Sequence, residues 1–231
     1  MKTLGIVGGI GPESTIEYYR FAFAEYRARV PGGSAPPIII NSIDLQKMLT
    51  LIDDGQLNEV TRYLGDEVCR LAAAGADFGL LAANTPHIVF DDILRNSPIP
   101  LISIVQATCQ VAATNGLTKV GIFGIRPTMQ GRFYPDVFSQ RAIRVIAPKP
   151  DEQDYIHHKY KSELLQGHIV PATRGGLLTI AKRMKADDGI EGLILAGTEL
   201  PPILRDFGEW DLPFLDTTKI HVSAAIDQLL M

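Results

Sequence analysis

Short apolar runs alternate along this chain with longer stretches of helical spacing. Residues 3–8 are apolar and close on Gly8-Gly9, which predicts a strand followed by a turn. Over 12–30, Ile16, Tyr19, Phe23 and Tyr26 recur three and four residues apart, the spacing of one helix face. After Pro36-Pro37, residues 38–41 predict a second strand. A long amphipathic helix is expected over 56–74, a third strand over 78–82 and a short fourth over 101–104. The spacing then predicts a helix over 104–115, stopped by Asn115-Gly116. A strand follows over 120–124, and helices over 128–140, 151–166 and 173–187. A strand over 193–196 and a helix over 217–230 complete the series. Ile38-Ile39-Ile40 and Leu193-Ile194-Leu195 are apolar without alternation, as parallel strands covered on both faces are. The fold class is therefore α/β with parallel sheets.

The chain echoes itself. Gly5-Ile6-Val7-Gly8-Gly9-Ile10-Gly11-Pro12 resembles Gly121-Ile122-Phe123-Gly124-Ile125-Arg126-Pro127-Thr128, and Gly5 to Gly121 is 116 residues. Leu80-Leu81-Ala82-Ala83-Asn84-Thr85-Pro86 resembles Ile194-Leu195-Ala196-Gly197-Thr198-Glu199-Leu200, and Ala83 to Gly197 is 114 residues. A nearly constant offset predicts two similar lobes, each a parallel sheet flanked by helices. The first is expected to hold 1–98 plus 210–231, the second 99–209.

Composition narrows the function more than the fold. Of 231 residues, 46% are hydrophobic and 21% charged, which excludes a disordered chain. The net charge is −4, so no basic field draws the protein to nucleic acid or anionic lipid. No apolar run reaches the ~18 residues of a membrane span. The first residues enter a strand with no signal-like apolar region. Cys69 and Cys109 form no disulfide framework, and a reducing cytoplasm is the expected location. Both cysteines fall mid-helix in the pattern, with Cys69 beside Val68 and near Leu71 as a packed residue would be.

Candidate chemistry gathers after the strands, where parallel sheets bind ligands. Gly9, Ile10 and Gly11 precede Pro12 at a helix start, where backbone N–H groups can meet an anion or simply form a tight turn. Asn84 and Thr85 can cap the helix that begins at Pro86 or hydrogen-bond a carboxylate. Thr198 occupies the matching place in the second half. Arg126, Thr128 and Met129 follow another strand, and a guanidinium fork suits a carboxylate. Asp216-Thr217-Thr218 and His221 open the last helix. His157, His158 and His168 have no partners at metal-ligand spacing, so no metal site is expected.

In order and spacing these motifs resemble the aspartate/glutamate racemase family nearly end to end. The likeness runs through Gly8–Thr15 as a block, Asn41-Ser42-Ile43-Asp44, Ala74-Gly75-Ala76-Asp77 and Asn84-Thr85-Pro86-His87. It continues through Thr128-Met129 with Phe133-Tyr134, Glu163-Leu164 with Gly167, Gly197-Thr198-Glu199, and Asp216-Thr217-Thr218 with Ile220-His221. The amino-acid racemase branch is the nearest in pattern. The resemblance implies two α/β lobes with a ligand cleft between them, a homodimer, and a small carboxylate or acidic amino acid as ligand. It also implies a reaction that needs no cofactor, with two facing cysteines passing a proton to and from the α-carbon.

Those cysteines stand directly before Asn-Thr and Thr-Glu in the family. Here Ala83 and Gly197 stand there, so the two-thiol reaction is expected to be absent. Proton abstraction needs a positioned base, and neither a methyl group nor a hydrogen is one. The candidates to replace the thiols are His87, Glu199, Asp44 and His221, each of which also has a plain structural role as a cap or support. Carboxylate binding is expected from Gly9, Ile10, Gly11, Asn84, Thr85, Arg126, Thr128, Met129 and Thr198. Three alternatives stay open: a divergent cofactor-independent lyase, isomerase or hydrolase; a non-catalytic ligand sensor; and a racemase from which both thiols were removed to trap a ligand.

Overall fold

β1 (Leu4–Gly8) is buried along its whole length, and the first half of the chain is built around it. The computed structural model of the protein describes residues 1–204 and 212–231. α1 (Pro12–Arg29) starts with proline at its first position, Glu13 in the first turn and Arg27 and Arg29 in the last, each suited to the helix dipole. β2 (Ile38–Ser42), α2 (Leu45–Asp53) and α3 (Leu57–Ala73) follow. Then come β3 (Phe78–Leu81), α4 (Phe90–Asn96), β4 (Leu101–Ile102) and α5 (Ile104–Thr114). The strands form one parallel sheet in the order β2-β1-β3-β4, with Val7 in register with both Asn41 and Leu81.

That order places β1 and β3 at the centre, with a helical layer on each face. Leu4, Ile6, Phe78 and Leu80 pack with Tyr18, Ala22 and Tyr26 of α1. Val7 and Leu81, on the other face, pack with Val60, Leu64, Val68 and Leu71 of α3. The alternation of a strand is thus present in the packing, while both faces being apolar hides it in the sequence. Gly5 lets α3 lie close, since a Cβ there would come within 2.9 Å of Ala76 and 3.2 Å of Leu71.

The second half repeats the plan. β5 (Lys119–Phe123), α6 (Arg126–Gln130), α7 (Phe133–Ser139) and β6 (Arg144–Ile146) lead to α8 (Pro150–Ser162) and α9 (Pro171–Arg183). β7 (Gly192–Leu195), α10 (Leu200–Leu204), β8 (Phe214–Asp216) and α11 (Thr217–Leu230) complete the chain. The order β6-β5-β7-β8 is that of the first sheet, again all parallel. α11 returns to the first unit, where Val222, Ile226 and Leu229 join the cluster around β1.

The compact units are Met1–Ala107 with Thr218–Met231, and Thr108–Thr217. The division expected after residue 98 falls later, because β4 pairs with β3 and stays with the first sheet. The expected break at 209/210 lies outside the described residues. β8 pairs with β7, so residues 214–217 belong to the second unit. Cys69 also departs from expectation, since it faces solvent while Cys109 is buried. Among the described residues, no helix is long and apolar enough to cross a membrane.

Candidate functional site

In each sheet the chain crosses from one side of the central strand to the other. β1 continues to β2 on one flank and β3 returns on the other; β5, β6 and β7 do the same. The connections leaving β1 and β3 therefore diverge at a switch point, as do those leaving β5 and β7, and such points hold ligands in open parallel sheets. The motif loops fall at these places.

In the first unit the loops after β1 and β3 are tied together. Ser14 donates its hydroxyl hydrogen to the Ala82 carbonyl at 2.9 Å. Gly9 has φ +75, and a Cβ there would sit 2.5 Å from the Ile43 carbonyl oxygen. Gly11, at the head of α1, has φ +96. The N–H of Gly9 donates to Thr15 Oγ1 at 2.8 Å, so it is held by the turn and does not await an anion. Ile10 is buried beside it. Asn84 and Thr85 are buried at the end of β3, and the Asn84 side chain makes no cap hydrogen bond to the short helical turn it precedes. Ala83 is only partly covered.

The candidate replacement bases of this unit are each engaged in hydrogen bonds within the fold. Asp44 Oδ1 accepts the N–H groups of Gln46 and Lys47 at 2.9 and 3.2 Å as the cap of α2. His87 is 4% exposed, its Nδ1 facing the Ala83 carbonyl at 3.1 Å while its Nε2 accepts the Ile104 N–H at 3.1 Å. His221 is fully buried. Its Nε2 faces the Ile102 carbonyl at 2.9 Å, which leaves Nδ1 to accept from the Tyr18 hydroxyl at 2.8 Å. Both rings are thus fixed neutral tautomers with no nitrogen to spare. Burial lowers the His87 pKa to about 3, with the nearby His221 adding to it, and burial lowers that of His221 to about 4.

The second unit is different. Thr128 and Met129 are buried after β5, beside a cavity of about 230 Å³ that Gln130, Arg132 and Tyr134 also line. Arg126 is turned to Asp154, 2.6 Å from guanidinium to carboxylate, and both are largely exposed. Thr217 donates to the Leu195 carbonyl at 2.9 Å and anchors the start of α11 to the end of β7. The Thr218 hydroxyl is buried with no hydrogen-bond partner among the described residues.

At Gly197 the structure shows a residue that pattern reading missed. Tyr160 of α8 fills the space beside it, so that a Cβ on Gly197 would meet the phenol oxygen and lie 2.7 and 2.8 Å from ring carbons Cε2 and Cζ. The Tyr160 hydroxyl donates to Glu199 Oε2, and Thr198 Oγ1 donates to the same carboxylate oxygen at 2.9 Å. Burial first, and the Glu199 carboxylate second, hold the Tyr160 phenol well above its usual pKa. Its only signal in the sequence is an aromatic position on an amphipathic helix, which reads as core. Among the described residues, no group of three His, Cys, Asp or Glu side chains could hold a metal ion.

Two expected outcomes follow from these contacts. The folded pKa values of both histidines lie below the unfolded value near 6.5, so their contribution to stability is complete above about pH 6.5. It is lost as pH falls toward 4, by up to about 1.4 kcal/mol per pH unit for each ring. The lowered carboxyl groups of Glu163 and Glu191 take up protons only below the ordinary carboxylate range, so the interval from pH 6.5 to 5 reports the histidines. Urea unfolding at pH 7, 6 and 5 should show the fall, and His87→Gln should flatten it by one ring's share. Equal stability at pH 7 and 5 would contradict the buried neutral pair. Second, Gly197→Ala should destabilise by about 1–3 kcal/mol through overpacking. Combined with Tyr160→Leu, it should cost less than the two single changes added together.

The whole pattern matches known proteins. The family model described as Asp/Glu/Hydantoin racemase matches residues 7–225. The chain is 23% identical over 235 residues to the broad specificity amino-acid racemase RacX of Bacillus subtilis (strain 168), covering 98% of each chain. Among solved structures it is similar to a Yersinia pestis protein provisionally named an Asp/Glu racemase, with 32% identity, TM-score 0.92 and both chains covered in full. It is also similar to an aspartate racemase homologue from Pyrococcus horikoshii OT3, with 29% identity, TM-score 0.87 and the same full coverage. With its duplicated parallel sheets and its strand-end motifs, this chain belongs to the Asp/Glu/hydantoin racemase family.

Proposed function

We propose that this protein binds a small carboxylate, with an acidic amino acid as the first choice, at its strand-end loops, and that two-thiol racemisation is absent from it. The observation that carries the reading is the pairing of Gly197 with Tyr160. A side chain at position 197 has no room, because a tyrosine ring stands within 2.7 Å of where its Cβ would be. At the equivalent place in the first unit, Ala83 offers a methyl group, and neither nitrogen of His87 is open to a proton. The similarity to an amino-acid racemase of broad specificity supports an amino-acid ligand. The buried or partly buried polar groups Asn84, Thr85, Thr128 and Thr198 at the strand ends are what a carboxylate and an ammonium group require. The reading includes a cytoplasmic homodimer working without a cofactor, as the family resemblance implies.

Fit between Gly197 and Tyr160 also bears on the idea of removed thiols. The phenol is hydrogen-bonded in its place, so a cysteine at 197 would need Tyr160 to move as well. That favours natural divergence. A second reading, a cofactor-independent enzyme of another class, is favoured by the Tyr160–Glu199 contact.

Chiral chromatography after incubation with L-aspartate or L-glutamate should show no formation of the D-isomer. Steady interconversion would overturn the absence of racemisation. Binding is tested separately by calorimetry with L-aspartate. Replacing both Asn84 and Thr85 with Ala removes two hydrogen bonds to a charged ligand, which costs about 3–6 kcal/mol at ~1.5–3 each, so affinity should fall at least a hundredfold. Unchanged affinity would rule out this loop as the binding site.

A further inference from the structure

The two sheets share one plan but differ beside their edge strands. In the first unit the helix after β1 runs unbroken from Pro12 to Arg29. Leu4 pairs with Ile38 of the edge strand β2, and Ile38 packs against the cluster that α1 completes. In the second unit the matching pair is Val120 with Val145 of the edge strand β6. There the helix after β5 stops at Gln130, passes through extended Gly131 and resumes at Phe133 as α7. Val145 borders the cavity of about 230 Å³ beside that break. The cavity has an apolar floor and a polar mouth. Ile122, Met129 and the Tyr134 ring are buried and Val145 and Ala147 partly covered, while Gln130 and Arg132 are exposed. The space therefore runs from solvent at the turn between α6 and α7 down to the sheet.

Arg132 is the cation of this mouth. Its Nε and Nη2 donate to Asp136 Oδ2 and Oδ1 at 3.5 and 3.0 Å, which occupies one edge of the guanidinium. The other edge, formed by Nη1 and the second Nη2 hydrogen, has no partner among the described residues. Arg132 and Asp136 are largely exposed, and a pair in solvent is worth too little to hold the guanidinium away from a second carboxylate. A free guanidinium edge takes a carboxylate through two parallel hydrogen bonds. Gln130 donates to Gln153, whose own amide donates to the Pro148 carbonyl, so the opposite rim is tied to the start of α8. We propose that this cavity is a binding site for a small monocarboxylate with a compact apolar body. The body lies on Ile122, Met129, Val145 and Ala147, and the carboxylate meets the free edge of Arg132. An apolar cavity of ~150 Å³ takes a benzene ring, so this one has room for a six-membered ring with its carboxylate. An acidic amino acid suits it poorly, because an ammonium or second carboxylate would meet the apolar floor without partners. The site thus goes beyond the acidic amino-acid reading and stands independently of Asn84 and Thr85.

The test is an NMR titration of the full chain with cyclohexanecarboxylate, which should bind one-to-one with a Kd of ~1 mM or tighter. Cyclohexanecarboxamide has the same shape without the charge and should bind at least about tenfold more weakly. Arg132→Gln should weaken the acid by at least about tenfold and leave the amide within about twofold. Ala147→Leu fills the floor and should weaken both ligands by a similar factor. If Ala147→Leu lowers the melting temperature, Arg132→Gln decides alone, since position 132 is exposed and its replacement leaves the core intact. No binding of the acid up to about 10 mM would overturn the proposal. Equal affinity for acid and amide, or an affinity for the acid that Arg132→Gln leaves unchanged, would overturn it as well.

Discussion

Each sheet is organised by one constraint: its two central strands are covered on both faces, so their backbone groups are consumed within the sheet and their side chains within the core. β1 and β3 are buried residue by residue, and β7 is the same. Apolar packing of this kind supplies most of the stability of an α/β unit. It leaves the carboxyl ends as the places where polar groups can be presented. There the chain must turn sharply, which is why Gly9 and Gly11 adopt positive φ. The chemistry of the protein is confined to a few loops because the rest of each unit is occupied with being buried.

Polar groups near those ends are divided between support and function by how completely they are satisfied. His87 and His221 have every ring nitrogen committed to a backbone group or to Tyr18. They join α5, α11 and α1 to the sheet, and being neutral they avoid the cost of a buried charge. Asp44 is committed to the head of α2. Arg126 is matched by Asp154 in solvent, where such a pair is worth little. The Tyr160–Glu199–Thr198 group is also hydrogen-bonded, with the phenol of α8 buried and the loop residues Thr198 and Glu199 partly buried.

Legibility followed the length of the apolar signal. Long elements such as α1, α3 and α11 lie where spacing predicts them. β6 and β8, of three residues each, and α2 carry too few positions to rise above their surroundings and were absent from the expected elements. The helix expected over 128–140 is broken into α6 and α7 at Gly131, whose backbone is extended and where a Cβ would lie 2.7 Å from the Pro127 carbonyl oxygen. Cys69 shows the limit of reading neighbours: Val68 beside it is buried, and one residue on a helix turns about 100°, enough to place the thiol in solvent.

By itself the sequence determined the α/β class, the duplication and the strand-end loops, because uninterrupted apolar runs, turn residues and a constant offset are properties of order along the chain. It also determined that no cysteine stands at 83 or 197. Only the tertiary structure decided what those loops hold. His87 and Glu199 look alike in the sequence, each a few residues beyond a small one; packing makes the first a buried support and brings the second to a phenol 39 residues away. Tyr160 was invisible as the neighbour of position 197 because its periodicity is that of a core residue, and it packs as one. Its role depends on where its last atom ends, which is set by the distance between α8 and the end of β7, a quantity that no local pattern encodes.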